Sequence, residues 1–122
     1  MKLLGVTVLT NLDRADLAEQ GIDMPPLALV QERARLAQGA GFDGIVASGK
    51  EAAALHERLR DFLIVTPGIR PAGADANDQA RIVTPKDAIA SGANYLVIGR
   101  PITRADDPKA AAEAIAAEIA AA

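Results

Sequence analysis

The chain has 122 residues and a formal net charge of −3; 50% of its residues are hydrophobic, 24% are charged and 2% are aromatic. This composition is typical of one globular domain, and the negative charge and scarce aromatic rings argue against a nucleic-acid partner. The lack of cysteine excludes disulfides and thiolate metal sites, and no apolar run approaches the roughly 20 residues of a membrane-spanning helix. We therefore expect a single cytoplasmic domain over residues 1–122, with no membrane partner and no signal peptide.

Hydrophobic patterning predicts two strand–helix units in the first half of the chain. The expected elements are a strand over Leu3–Leu9, a short helix over 14–20 capped by Asp13, a helix that begins at Pro25-Pro26, and a strand over Gly44–Ala47. Apolar residues recur at three- and four-residue steps in the longer helix. They predict a buried face made of Leu27, Val30, Ala34 and Ala37.

The second half of the chain predicts two more units of the same kind. Ser48-Gly49-Lys50-Glu51 has the Ser-x-x-Glu form of a capping box, and a helix is expected to follow it as far as Arg60. The remaining expected elements are a strand over Phe62–Val65, a helix that begins at Thr84-Pro85 and ends at Gly92, a strand over Tyr95–Ile98, and a final helix capped by Asp107.

The alternation of strand and helix indicates the fold class. Four repeats favour a parallel α/β sheet with right-handed crossovers, which is a (β/α)4 half of a TIM-type barrel. An open, flavodoxin-like sheet is the alternative. A half-barrel has two unpaired sheet edges and an exposed apolar inner face, so we expect self-association, most simply a dimer in which two copies complete an eight-stranded ring.

Two glycine–arginine segments follow the last two predicted strands. They are Thr66-Pro67-Gly68-Ile69-Arg70-Pro71 and Ile98-Gly99-Arg100-Pro101-Ile102-Thr103. Glycine lets backbone N–H groups approach an anion, and a guanidinium binds phosphate oxygens in a two-pronged manner. Because barrels often hold phosphate after their last two strands, Gly99, Arg100 and Arg70 are candidate phosphate ligands. The structural alternative is that both arginines are ordinary loop residues, with Arg70 paired to Asp75 or Asp78.

These segments also carry a family resemblance. Together with Val6–Thr10, Gly41–Val46, Asp78-Gln79-Ala80-Arg81, Thr84-Pro85 and Tyr95–Thr103, they make the chain resemble the C-terminal half of orotidine 5'-monophosphate decarboxylase. The resemblance implies that Arg70, Gly99 and Arg100 hold the substrate phosphate. It also implies that Gln79 closes over the nucleotide and that Thr10 contacts the base. The implied ligands are phosphate and uridine or orotidine 5'-monophosphate, bound without a cofactor or metal.

The catalytic segment of the family has no counterpart in these 122 residues. The resemblance implies an Asp-x-Lys-x-x-Asp segment that stabilises and protonates a carbanion. The one Asp-x-Lys here, Asp107-Pro108-Lys109, continues with alanines and is explained as a helix start. The lone histidine, His56, is expected at the surface.

We therefore expect no catalytic residue in this chain, and no decarboxylation by it alone. Three readings stay open. The chain is a nucleotide-binding half that needs a complementary N-terminal half-barrel or a second copy of itself. It is instead a self-associating half-barrel fragment or a designed scaffold without useful ligand binding. The third reading, a small enzyme of new specificity, would need an acid or base that the sequence does not identify.

Overall fold

The computed structural model describes residues 1–71 and 82–122, and its centre is one parallel sheet. The strands are β1 (Leu4–Val6), β2 (Gly44–Val46), β3 (Leu63–Thr66) and β4 (Tyr95–Leu96). They lie in the sheet in the order β1-β2-β3-β4, each parallel to its neighbour. This consecutive order confirms the predicted (β/α)4 arrangement and argues against a flavodoxin-like sheet, in which strands distant in the chain lie side by side.

Helices connect the strands and follow the last one. They are α1 (Arg14–Glu19), α2 (Pro26–Gly39), α3 (Gly49–Arg58), α4 (Pro85–Ala90), α5 (Arg100–Thr103) and α6 (Pro108–Ala120). The part of the chain described by the structure contains no helix with the length and apolar character needed to cross a membrane.

In the described part of the chain, the helices pack on one face of the sheet. Ile45 and Ile64 are paired across β2 and β3, and both are fully buried in the core beneath the helices. On the other face, Val6 and Tyr95 occupy the next paired row and are 62% and 61% exposed. The sheet therefore has the open apolar inner face that a half-barrel predicts.

Most of the predicted helix starts are confirmed by side-chain caps. Asp13 accepts a hydrogen bond from the Asp16 amide at 2.9 Å, and the Asp16 carboxylate accepts one from the Asp13 amide. Thr84 and Asp107 cap α4 and α6 in the same way, through the amides three residues on. These caps form because each depends only on contacts within one turn.

The predicted capping box at Ser48 does not form, so this prediction is wrong. Ser48 precedes α3 in an extended conformation, but its side chain makes no capping hydrogen bond. Its hydroxyl is instead fully buried and has no hydrogen-bond partner among the described residues. Packing at this end of the sheet thus overrides a local signal that the sequence pattern alone supports.

Three other features differ from the sequence expectations. Leu27 is 41% exposed whereas Leu29 is buried, so the inward face of α2 is rotated toward Leu29, Val30 and Ala34. β1, β2 and β4 are shorter than the apolar runs that predict them, and β1 covers three of the seven residues of Leu3–Leu9, whereas β3 has the predicted length and is shifted by one residue. The short helix α5 was not expected; Pro101 lies in its first turn, where a fixed φ favours helix.

Candidate functional site

Arg70 and Arg100 leave the sheet from paired positions on adjacent strands. Thr66 of β3 is the register partner of Leu96 of β4, and each arginine follows its strand residue by four positions. Because the strands are parallel, both loops emerge at the carboxyl-terminal edge of the sheet. The structure thus brings the two arginine-bearing loops to neighbouring positions at one edge, as the sequence predicts.

The side chain of Arg70 is held inside the protein. The residue is only 6% exposed, and its guanidinium Nη1 donates a hydrogen bond of 2.7 Å to the Ile69 carbonyl oxygen. Its backbone amide donates to the Val83 carbonyl at 3.0 Å. The preceding turn contains Gly68 with a φ of +74°, a conformation that favours glycine. Arg70 is therefore a buried residue and not an arginine of a surface loop.

Gly99 and Arg100 form the second loop. Gly99 is exposed and precedes α5, with its carbonyl accepting hydrogen bonds from the Ile102 and Thr103 amides at 2.9 and 3.0 Å. A side chain built on Gly99 would meet no atom of the described residues within 4 Å, so that part of the chain leaves its backbone accessible. Arg100 is half-buried and begins α5. This loop therefore presents an accessible backbone next to a cation.

Thr10 lies at the same carboxyl-terminal end of the strands, but it follows the strand at the other edge of the sheet. It is 7% exposed and sits in the turn after β1, the first strand, whereas Arg100 follows the fourth. Three strand spacings separate these strands by roughly 14 Å. A ligand that reached both residues would have to extend across the edge of the sheet. Gln79, the remaining predicted contact, lies outside the described residues.

Further buried polar groups lie at this edge, and sequence reasoning did not identify them as part of a site. The Thr66 hydroxyl, on the last residue of β3, is fully buried and has no hydrogen-bond partner in the described part of the chain, like that of Ser48. Glu51 in the first turn of α3 is 4% exposed. Buried polar groups are costly in a core unless they are satisfied, so their concentration marks this edge as a polar site. The capping pattern concealed Ser48 and Glu51, and no sequence signal distinguishes Thr66.

The described residues offer no obvious metal centre. Within residues 1–71 and 82–122, no three histidine, aspartate or glutamate residues are grouped closely enough to hold a metal ion. His56 is exposed, as expected, and its ring packs against Gly92. The guanidinium groups of the two arginines at the carboxyl-terminal edge instead suit an anionic ligand.

Comparison with known proteins supports one family. The family model described as "Orotidine 5'-phosphate decarboxylase / HUMPS family" matches residues 1–115. Orotidine 5'-phosphate decarboxylase of Nitrosococcus oceani is 57% identical over 119 residues, which are 97% of this chain and 51% of that protein. The enzyme of Rhodopseudomonas palustris is 58% identical over 100% of this chain and 52% of its own length.

Solved structures agree with the sequence relatives. The crystal structure of orotidine 5'-phosphate decarboxylase from Lactobacillus acidophilus matches with a TM-score of 0.77 and 45% identity, covering 97% of this chain and 49% of that one. An uncharacterized conserved protein from Geobacillus kaustophilus matches with a TM-score of 0.74 and 36% identity, covering 97% and 48%. The chain spans about half the length of the curated relatives it matches. On the family model and these relatives together, the chain belongs to the orotidine 5'-phosphate decarboxylase / HUMPS family.

Proposed function

We propose that this chain is the phosphate-binding half of an orotidine 5'-monophosphate decarboxylase barrel, folded as a single domain over residues 1–122. One observation carries the proposal: the loops that contain Arg70 and Arg100 begin at paired positions on the adjacent strands β3 and β4. Two guanidinium groups on adjacent loops, together with the open backbone of Gly99, provide the charge and the N–H donors that a 5'-phosphate needs.

The rest of the nucleotide extends from this phosphate toward β1. Thr10, at the far side of the sheet edge, is our candidate for contact with the base, because its hydroxyl can both donate and accept a hydrogen bond. Gln79 is our candidate for a second contact across the nucleotide, on the strength of the family resemblance. The ligands are orotidine and uridine 5'-monophosphate, which share the phosphate, the ribose and a pyrimidine ring.

The chain alone binds without performing the reaction. Its 122 residues contain no Asp-x-Lys-x-x-Asp segment, so the acid and the alternating charges expected for decarboxylation would come from another half-barrel. Phosphate binding remote from the reacting carbon is a means of recruiting binding energy for a distant step. A chain that has these phosphate-binding residues but no catalytic segment should bind the nucleotide without decarboxylating it.

The open inner face supports association with that other half. Val6 and Tyr95 are joined there by Val97, which is 53% exposed, and a concavity of about 670 Å³ lies against this face between Leu4, Leu63 and Tyr95. β1 and β4 are the two edges of the sheet, so no other strand of the described residues pairs with their outer sides. A complementary half-barrel or a second copy would cover both features at once.

Calorimetric titration with uridine 5'-monophosphate tests the binding proposal. We expect saturable binding that Arg100→Ala weakens by about 1.5–3 kcal/mol, the range for a hydrogen bond to a charged group. Arg104→Ala is the matched control, because Arg104 is an exposed arginine at the end of the same short helix. Equal binding by wild type and Arg100→Ala would reject the phosphate site, and no detectable binding by the folded wild type would favour the scaffold without ligand binding.

Sedimentation and a turnover assay test the other two parts. At micromolar concentration we expect a dimer or larger species, and Val6→Asp should shift it toward monomer by placing a charge on the inner face. Leu36→Asp, at an exposed leucine of α2 on the outer surface, should leave the assembly unchanged. A wild-type monomer would contradict self-association, and decarboxylation above background by pure protein would contradict the inactivity proposal.

A further inference from the structure

Gly49 and Val83 make a contact that only glycine allows. Gly49 is the first residue of α3, and a side-chain carbon built on it would overlap Cγ2 of Val83, with the Val83 Cβ and Cγ1 atoms both at 3.2 Å. The backbone of Gly49 does not have the positive φ seen at Gly21, Gly41, Gly68 and Gly92. Glycine is therefore needed here for close approach, and conformational freedom does not explain it.

Val83 is in turn bound to the loop that carries Arg70. It forms an isolated parallel bridge with Ile69, its carbonyl oxygen accepts the Arg70 amide at 3.0 Å, and its own amide donates to the Gly68 carbonyl at 3.4 Å. Its side chain also packs against a small core cluster centred on Ile69. The backbone on both sides of Ile69 is thereby tied to one residue.

These two sets of contacts connect α3 to the loop that carries Arg70. The first turn of α3 belongs to the larger core, through Ala52, while Ile69 belongs to the smaller one. The Gly49–Val83 contact passes between them. We propose that Val83, seated on Gly49, is a positioning residue that fixes where the Arg70 backbone, and hence its guanidinium, lies in the anion site. This inference rests on the proposed phosphate site.

Substitutions that change size in opposite directions test this arrangement. Gly49→Ala adds the overlapping methyl and should displace Val83, whereas the double variant Gly49→Ala/Val83→Ala removes the valine methyls in the way. We expect Gly49→Ala to weaken uridine 5'-monophosphate binding about tenfold, since small displacements of a binding group are costly, and the double variant to regain most of the affinity. Gly39→Ala is the control, because a side chain on Gly39 would meet none of the described residues within 4 Å.

A backbone readout separates this inference from the phosphate site itself. In ¹H–¹⁵N spectra of the ligand-free chain, the Arg70 amide resonance should move in Gly49→Ala and return toward its wild-type position in the double variant. Amide hydrogen exchange at Arg70 should accelerate and recover in parallel. If wild type bound no nucleotide while these shifts occurred, the proposed function would fail and the positioning role would stand.

The opposite outcomes overturn the inference. A folded Gly49→Ala with an unchanged Arg70 amide, or a double variant as impaired as Gly49→Ala, would show that the contact does not position Arg70. If Gly49→Ala does not fold, Val83→Ala alone decides the question, because it removes the contact without adding an overlap. It should accelerate Arg70 amide exchange, and an unchanged exchange rate would reject the proposal.

Discussion

The guanidinium of Arg33 in α2 reaches the end of β1, where its Nη1 donates a hydrogen bond of 2.6 Å to the carbonyl oxygen of Thr7. Thr7 is itself buried and attached to β2, with its hydroxyl donating to the Val46 carbonyl at 2.7 Å and its amide at 3.3 Å. One arginine thus ties helix α2 to the strand end that leads to Thr10. Because Thr7 is buried, this hydrogen bond removes the cost of leaving its carbonyl oxygen without a partner.

Replacing Arg33 should therefore destabilise the fold. Arg33→Met keeps much of the aliphatic length and removes the donor, and we expect a loss of about 1–2 kcal/mol in the free energy of unfolding, measured with urea. The control is Arg35→Met, two residues along. Arg35 forms an exposed ion pair with Glu32, and exposed pairs often contribute nothing measurable. Equal unfolding midpoints for Arg33→Met and wild type would contradict the assigned role.

The N-terminal cap of α4 should contribute measurably to stability. The Thr84 hydroxyl accepts a hydrogen bond from the Asp87 amide at 3.2 Å, and Pro85 follows in the first turn. Thr84→Ala leaves that amide without a partner and should cost about 1 kcal/mol, whereas Thr84→Asp retains an acceptor and should cost less. Thermal unfolding of the three proteins measures this difference, and identical curves for the alanine and aspartate variants would refute it.

The acidic cap of α1 should make stability depend on pH in the acid range. Hydrogen bonding from the Asp16 amide lowers the pKa of Asp13 below its usual 3.8. A carboxyl group with a lowered folded-state pKa stabilises the fold above 3.8, and this contribution is lost as the pH falls through the folded-state pKa. Asp13→Asn caps without titrating at residue 13. The stability difference between wild type and Asp13→Asn should therefore shrink on acidification; a pH-independent difference would contradict the assignment.

The sequence predicts features of this chain that depend on local contacts. Asp13, Thr84 and Asp107 act as caps because a cap needs only the next turn, and alternating strands and helices give a consecutive parallel sheet. The positions of Arg70 and Arg100 at one sheet edge follow from that topology. The equal spacing of the two arginines from the ends of β3 and β4 is enough to predict that they lie near each other.

The features that sequence reasoning missed depend on packing between distant segments. Ser48 matches a capping pattern, but tertiary contacts bury its hydroxyl and the cap does not form. The need for glycine at position 49 comes from Val83, 34 residues away, which no local pattern reveals. Likewise, Arg70 is buried where its backbone pairs with Val83, 13 residues further along the chain, and no local pattern predicts that pairing.

The last prediction concerns a glycine that lets three strands pack closely. Gly44 in β2 is the register partner of both Leu4 in β1 and Leu63 in β3. A side-chain carbon on Gly44 would overlap the Leu63 carbonyl oxygen and lie 2.6 Å from the Leu63 Cβ. Because backbone cannot move aside as a flexible side chain can, we expect Gly44→Ala to destabilise the fold by about 2–3 kcal/mol.

Gly39→Ala provides the matched comparison for this substitution. Gly39 ends α2 in open space, so adding the same methyl there should stabilise the helix by about 0.5 kcal/mol through a smaller loss of backbone entropy. Urea unfolding of both variants against wild type gives the two differences. Changes of opposite sign in the free energy of unfolding would show that position 44 needs glycine because the strands approach closely there. Glycine's general effect on the unfolded chain would not explain that result. Stabilisation by both substitutions would mean that the strands around Gly44 can separate without cost.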